Sequence, residues 1–151
     1  MEKVCFVPFG CVNNGSYYRH LNDIFNNYGV EMTTKLTESD MIIFESCAGT
    51  GVGIKKQQDL LHSLVKVSEA YNIPLYIVGC LTRCWDQDSL DYLNNTYKNV
   101  KVRTDEDWAS KLAIDFCNYN ISQLECNSEN LYSKQQTPVV IRLSIGHGCI
   151  N

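Results

Sequence analysis

Apolar residues recur along the first 117 residues in two alternating rhythms. Short continuous apolar runs appear as VCFVPF near residues 4–9, MIIFES at 41–46 and LYIVG just after Pro74. Runs of this length and composition read as strands buried on both faces. A weaker run at 30–32 and VKVR at 100–103 read as two further short strands. Between these runs the apolar spacing changes to three and four, which predicts helices. Tyr17, Leu21, Ile24, Phe25 and Tyr28 give one apolar face over 16–28, with Gly29 as its C-cap. Leu60, Leu61, Leu64, Val65 and Tyr71 give another over 54–71, and a shorter helix is predicted at 88–95. Trp108, Leu112 and Phe116 form the inner face of a last helix. It follows Thr104-Asp105-Glu106-Asp107, where Thr104 can cap and the acids suit the positive end of the helix dipole.

Strand and helix therefore alternate, which predicts an α/β fold: an open parallel sheet of about five strands with helices on both faces. The flavodoxin-like order 2-1-3-4-5 is the expected topology. Residues 1–117 form this domain. Residues 118–138 are polar, rich in Asn, Ser and Gln, and end at Pro138, so they read as a linker. VVIRLSIGHGCIN, 139–151, opens a new strand.

Composition narrows the classes. The 151 residues are 44 % hydrophobic and 20 % charged, which is ordinary for a globular domain. No apolar run reaches the roughly 18 residues of a membrane-spanning helix. The start, MEKVCFVPFGC, lacks the pattern of a signal peptide, so a reducing, cytoplasmic compartment is expected. The net charge of −4 argues against a surface dominated by phosphate contacts.

The eight cysteines change the picture most: Cys5, Cys11, Cys47, Cys80, Cys84, Cys117, Cys126 and Cys149. In a reducing compartment that number points to metal or redox chemistry. Cys5, inside the first strand, and Cys117, at the end of a helix, are assigned to the core. Cys11, Cys47 and Cys80 differ, because each stands where an apolar strand ends. In the predicted strand order all three lie at the carboxyl edge beside the topological switch point, where open α/β sheets bind ligands. Neighbouring strands are about 4.8 Å apart, so three such loops can bring three sulfurs to one centre. Three thiolates suit either a zinc site short of one ligand or an iron–sulfur cluster with one unsaturated iron.

These residues carry a resemblance. Phe9-Gly10-Cys11, Glu45-Ser46-Cys47 and Gly79-Cys80-Leu81, with Asn14 three residues after the first cysteine, resemble the N-terminal domain of the methylthiotransferases, radical S-adenosylmethionine enzymes. The tail IRLSI followed by Gly148-Cys149-Ile150-Asn151 resembles the entry to that family's C-x3-C-x2-C motif. The resemblance implies that Cys11, Cys47 and Cys80 bind an auxiliary [4Fe-4S] cluster whose open iron handles the sulfur or methylthio group. It implies that Cys149 is the first ligand of a second [4Fe-4S] cluster that works with S-adenosylmethionine, and that 139–151 begin a radical S-adenosylmethionine domain, as the first strand of its barrel. The remaining cysteines of that motif do not occur in these 151 residues, so the chain alone is expected to be inactive. The implied substrate is a tRNA adenosine, with GCIN leaning toward threonylcarbamoyladenosine, or a protein or peptide side chain.

The sequence departs from the family in places. Tyr17, Tyr18 and Arg19 replace an Asp-Ser-Glu-like stretch, Glu45-Ser46 replaces Asn-Thr, CAGTGVGIKK replaces a stretch carrying Val-Arg, and Cys84 replaces an arginine. These differences bear on substrate and sulfur chemistry. Gly49, Gly51 and Gly53 with Lys55 match neither phosphate-binding fingerprint and read as a flexible loop that lets the backbone approach the centre. Cys84 reads as a buried helix cysteine, Arg83 as solvated, and His20, His62 and His147 as surface residues. Tyr17 and Tyr18 can stack on an unpaired base, although at least one is expected in the core. Two readings compete with the cluster: a non-enzymatic module with a zinc or redox thiol site, and a nucleotide- or flavin-binding domain.

Overall fold

In the computed structural model, residues 2–9, 15–48, 51–105 and 108–117 are described, with backbone alone for 15–17, 51–54, 110, 113–114 and 117. Cys11, Asn14, Gly49, Cys126, His147, Cys149, the expected linker 118–138 and the expected barrel strand at 139–151 lie outside the described residues.

The described residues form five strands and four α-helices, which alternate except between β2 and β3: β1 (Lys3–Pro8), α1 (Gly15–Asn27), β2 (Glu31–Thr33), β3 (Met41–Ser46), α2 (Gly51–Tyr71), β4 (Leu75–Gly79), α3 (Gln87–Thr96), β5 (Val100–Val102) and α4 (Trp108–Cys117). The sheet is parallel throughout and ordered β2-β1-β3-β4-β5. This is the flavodoxin-like order expected from the alternation of periods.

The strands read as continuous apolar runs because both faces are covered. Val4, Phe6, Met41, Ile43 and Val78 face α1 and α4, where they meet Leu21, Phe25, Trp108 and Leu112. Cys5, Ile42, Phe44, Leu75, Ile77 and Val100 face the opposite way, against Leu64, Val65 and the half-buried Leu60 and Leu93. Cys5 is buried as expected, and burial pushes its thiol pKa up. Trp108, Leu112 and Phe116 line α4 as predicted, and Phe116 meets Phe25 of α1 edge-on at 6.0 Å.

The helix ends follow backbone chemistry. α1 stops at Gly29, whose φ is +72°, with Val30 N–H donating to Phe25 O and Gly29 N–H to Asn26 O. These two bonds form a Schellman motif. α2 ends the same way with Asn72 at φ +53°, and Ile73 N–H donates to Ser68 O at 3.0 Å. The fully buried Ser68 hydroxyl adds a bond to Ile73 O at 2.7 Å. Ser68→Ala removes that bond without changing the shape of the helix. It is expected to lower stability by about 1 kcal/mol, measured by urea unfolding.

Three expectations need correction. Tyr71 was placed on the inner face of its helix but is 59 % exposed. The buried stripe of α2 runs Gln57, Leu64, Val65, Ser68, and the chain turns away at Asn72 before Tyr71 can reach the sheet. Gly51 and Gly53 were read as a flexible loop, yet they form the first turn of α2. Helix propagation from the docked run beyond them outweighs a cost of about 1 kcal/mol per glycine. Cys84 was read as a buried helix cysteine but is exposed at the end of a 3-10 turn, Leu81–Cys84. In that tight turn Leu81 and Thr82 take the inward positions.

Candidate functional site

The register fixes where the strand-end cysteines stand. Pro8 pairs with Glu45 and Glu45 with Val78, and one step on Ser46 pairs with Gly79. Cys47 and Cys80 are the next residues on two adjacent strands, so they leave the sheet at one level of its carboxyl edge. Cys80 N–H donates to Ser46 O at 3.0 Å, which continues the ladder past the formal end of β4. On the other side Phe9 N–H donates to Glu45 O at 3.0 Å, carrying the β1 pairing one residue beyond Pro8. Gly10 and Cys11 follow in sequence. The edge therefore places two of the predicted cysteines at the ends of neighbouring strands, next to the β1/β3 switch point. Among the described residues, no three His, Cys, Asp or Glu side chains are grouped so as to hold a metal ion.

Gly79 explains why β4 ends on Gly-Cys. Its φ is +100°, and a Cβ there would lie 2.3 Å from Ser46 O and 3.0 Å from Ser46 N. Only glycine lets β4 press this closely against β3 while the chain turns into Cys80. Cys80 itself is helical (φ −66°, ψ −35°) and opens the 3-10 turn. Thr82, 1 % exposed, anchors that turn by donating to Gly79 O or Arg103 O, each 2.9 Å away. Cys84 returns over the turn, with its thiol 3.5 Å from Cys80 O. Arg83 is exposed, as read from the sequence.

Cys47 is held from the other direction. Its N–H donates to Gln57 Oε1 at 2.7 Å, and Gln57 Nε2 donates to Cys47 O at 2.9 Å. Gln57 is 1 % exposed, so water does not compete for these bonds. Sequence reasoning passed over Gln57. The available signal was a polar residue at an inward position of the α2 stripe, seven before Leu64. The first turn of α2 begins at Gly51, four residues after Cys47 in sequence.

Glu45 is the other residue not singled out as functional. It is 1 % exposed, and its Oε2 has no hydrogen-bond partner. Strand alternation puts it on the face of Ile43, toward α1. Burial pushes its carboxyl pKa up to about 8. An acid inside an otherwise apolar strand was the sequence signal. Of the aromatic pair at the start of α1, Tyr18 is 40 % exposed and packs on Phe6 at 5.4 Å between ring centres. The side chain of Tyr17 lies outside the described residues. His62 is exposed and His20 half-buried.

Residues 3–100 match the family described as Uncharacterized protein family UPF0004. The chain belongs to that family. It is the N-terminal domain of methylthiotransferases, as the strand-end cysteines suggested. A curated relative, the ribosomal protein uS12 methylthiotransferase RimO of Endomicrobium trichonymphae, is 18 % identical over 81 residues. That alignment covers 54 % of this chain and 18 % of the relative, so the chain spans about a fifth of the relative it matches. No helix among the described residues is long and apolar enough to cross a membrane.

The residues present suit a thiophilic group. Two cysteines follow paired residues of adjacent strands, each with its backbone held by hydrogen bonds, and an orphaned carboxyl oxygen lies buried at Glu45, two residues before Cys47. Such donors select iron–sulfur clusters or zinc over hard cations.

Proposed function

We propose that this chain is the auxiliary-cluster domain of a methylthiotransferase, with Cys11, Cys47 and Cys80 as thiolate ligands of a [4Fe-4S] cluster. The observation that carries the reading is the register: Cys47 and Cys80 follow the paired residues Ser46 and Gly79 at the switch-point edge. In this reading residues 1–117 are the cluster domain, 118–138 a linker, and 139–151 the start of a radical S-adenosylmethionine domain. Cys149 is the first ligand of that domain's own [4Fe-4S] cluster. Three protein ligands leave one iron with an open position, which supplies a place for a sulfur or methylthio group.

The protein's own part is to present three thiolates at one edge and to exclude other ligands. Gln57 and the Ser46–Cys80 bond fix two of the backbones. The whole enzyme, working in the cytoplasm with S-adenosylmethionine, would methylthiolate a tRNA adenosine or a ribosomal-protein side chain. The relative's name favours the protein. The net charge of −4 argues against these residues being the main clamp on a nucleic acid, if the substrate is tRNA.

Anaerobic reconstitution with ferrous iron and sulfide tests the reading. The parent chain is expected to take up about four irons with a broad visible charge-transfer band. Cys11→Ser, Cys47→Ser and Cys80→Ser should each lose most of both, while Cys5→Ser and Cys84→Ser keep them. Iron uptake indifferent to the three strand-end changes would sink the proposal. Preferential zinc retention by the same three cysteines would replace the cluster with a zinc site.

A further inference from the structure

We propose that Gln57 is a positioning residue for the cluster: its side-chain amide sets the direction in which the Cys47 sulfur leaves the sheet. This rests on the reading of Cys47 as a ligand. Beyond Ser46 the β3 backbone has left the ladder, so the Cys47 peptide groups must find partners elsewhere. Gln57 supplies both at once, accepting from Cys47 N–H at 2.7 Å and donating to Cys47 O at 2.9 Å. A primary amide binding both backbone groups of one residue imitates a ladder neighbour. It fixes the backbone on both sides of Cys47 Cα, and with it the Cα–Cβ vector that aims the sulfur.

Two features separate this from an ordinary buried hydrogen bond. Gln57 is 1 % exposed and its stripe on α2 is otherwise built from Leu64, Val65 and Ser68, so apolar contact alone would be served better by leucine or methionine. The clamp also ties the Cys47 backbone to α2, the helix that carries Gln57. A free loop would let Cys47 swing away when iron is lost, and the clamp holds the apo site near its loaded shape. Groups that orient metal ligands through hydrogen bonds typically change metal affinity by about 10- to 100-fold when removed.

The test uses the whole 151-residue chain. Gln57→Met keeps length and apolar fit but makes neither bond. Gln57→Glu keeps the acceptor for Cys47 N–H and loses the donor to Cys47 O. Both are reconstituted with ferrous iron and sulfide beside the parent and beside Ser68→Ala, a destabilising change at the far end of the same helix. Release of iron to a chelator is followed in time, and the cluster's reduction potential is recorded. Release is expected to be roughly tenfold or more faster in Gln57→Met, less so in Gln57→Glu, and unchanged in Ser68→Ala. Potentials should shift in the two Gln57 variants alone. Should Gln57→Met not fold, the isosteric glutamate variant decides. Parent-like iron retention and potential in a folded Gln57 variant would overturn the positioning role while leaving the cluster intact. Failure of the parent itself to bind iron would instead remove the ligand reading on which this role depends.

Discussion

Replacing Glu45 by glutamine should flatten the pH dependence of the iron-free chain's stability and make it more stable at pH 8. In the unfolded chain the carboxyl titrates near its ordinary value of 4.5, whereas in the fold burial pushes it up to about 8. Between those two values the native state holds a proton that the unfolded state has released. Stability is therefore fully present below about pH 4.5 and falls as pH rises toward 8, at up to about 1.4 kcal/mol per unit. The total is on the order of 3–5 kcal/mol, a large share of the stability of a domain this size. Glutamine has nearly the same volume and no charge to release. Urea unfolding of both chains at pH 5, 6, 7 and 8 tests this. The parent midpoint should drop steadily while that of Glu45→Gln stays level. Parallel slopes would mean that the Glu45 carboxylate finds a partner on ionising.

Gly79→Ala should be the most disruptive single methyl in the sheet. The added Cβ would meet Ser46 O at 2.3 Å, and the φ of +100° is strained for any L side chain. The obstructing atoms are backbone atoms of β3, held by β1 and β4 together, so they cannot step aside. A cost of about 3 kcal/mol or more is expected. Iron uptake should fall with it, because pushing β4 away from Ser46 breaks the bond that seats Cys80. Gly29→Ala is the internal comparison. Gly29 also has positive φ, but nothing lies within 4 Å of its Cβ position, so only the conformational penalty of about 1 kcal/mol applies. Denaturation midpoints of the two variants separate clash from strain. Equal midpoints would show that β3 and β4 can part at this edge.

The strand order was legible because a buried parallel strand and an amphipathic helix write different periods into the chain. MIIFES is short and continuously apolar, as a strand covered on both faces is, and Leu21, Ile24 and Phe25 recur at three and four, as one side of a helix does. Gly29 was readable as a cap because its neighbours set the left-handed position. Cys47 and Cys80 were recognisable as a pair because each ends such a run, and strand register then leaves little freedom. Gln57 was not legible, because its role depends on the Cys47 backbone ten residues away, and periodicity reports burial rather than partners. The exposure of Tyr71 and Cys84 escaped for the opposite reason: each stands where an element ends, and a turn of the backbone overrides the pattern leading up to it. Glu45 was read as a departure from Asn in the motif. That its oxygen lies buried without a partner is a fact of packing that composition cannot carry.

The central place of β3 also fixes an order of events during synthesis. β1 is made first, yet its inner neighbour β3 ends at Ser46, and β4, which completes the cysteine edge, ends at Gly79. Each pairing must wait for a crossover helix to be made and folded back, as the high contact order of parallel sheets requires. A nascent chain that has not yet passed Cys80 holds scattered thiols and no edge to present them. The architecture thus makes assembly of this edge a late step, completed by a folded domain rather than a growing chain.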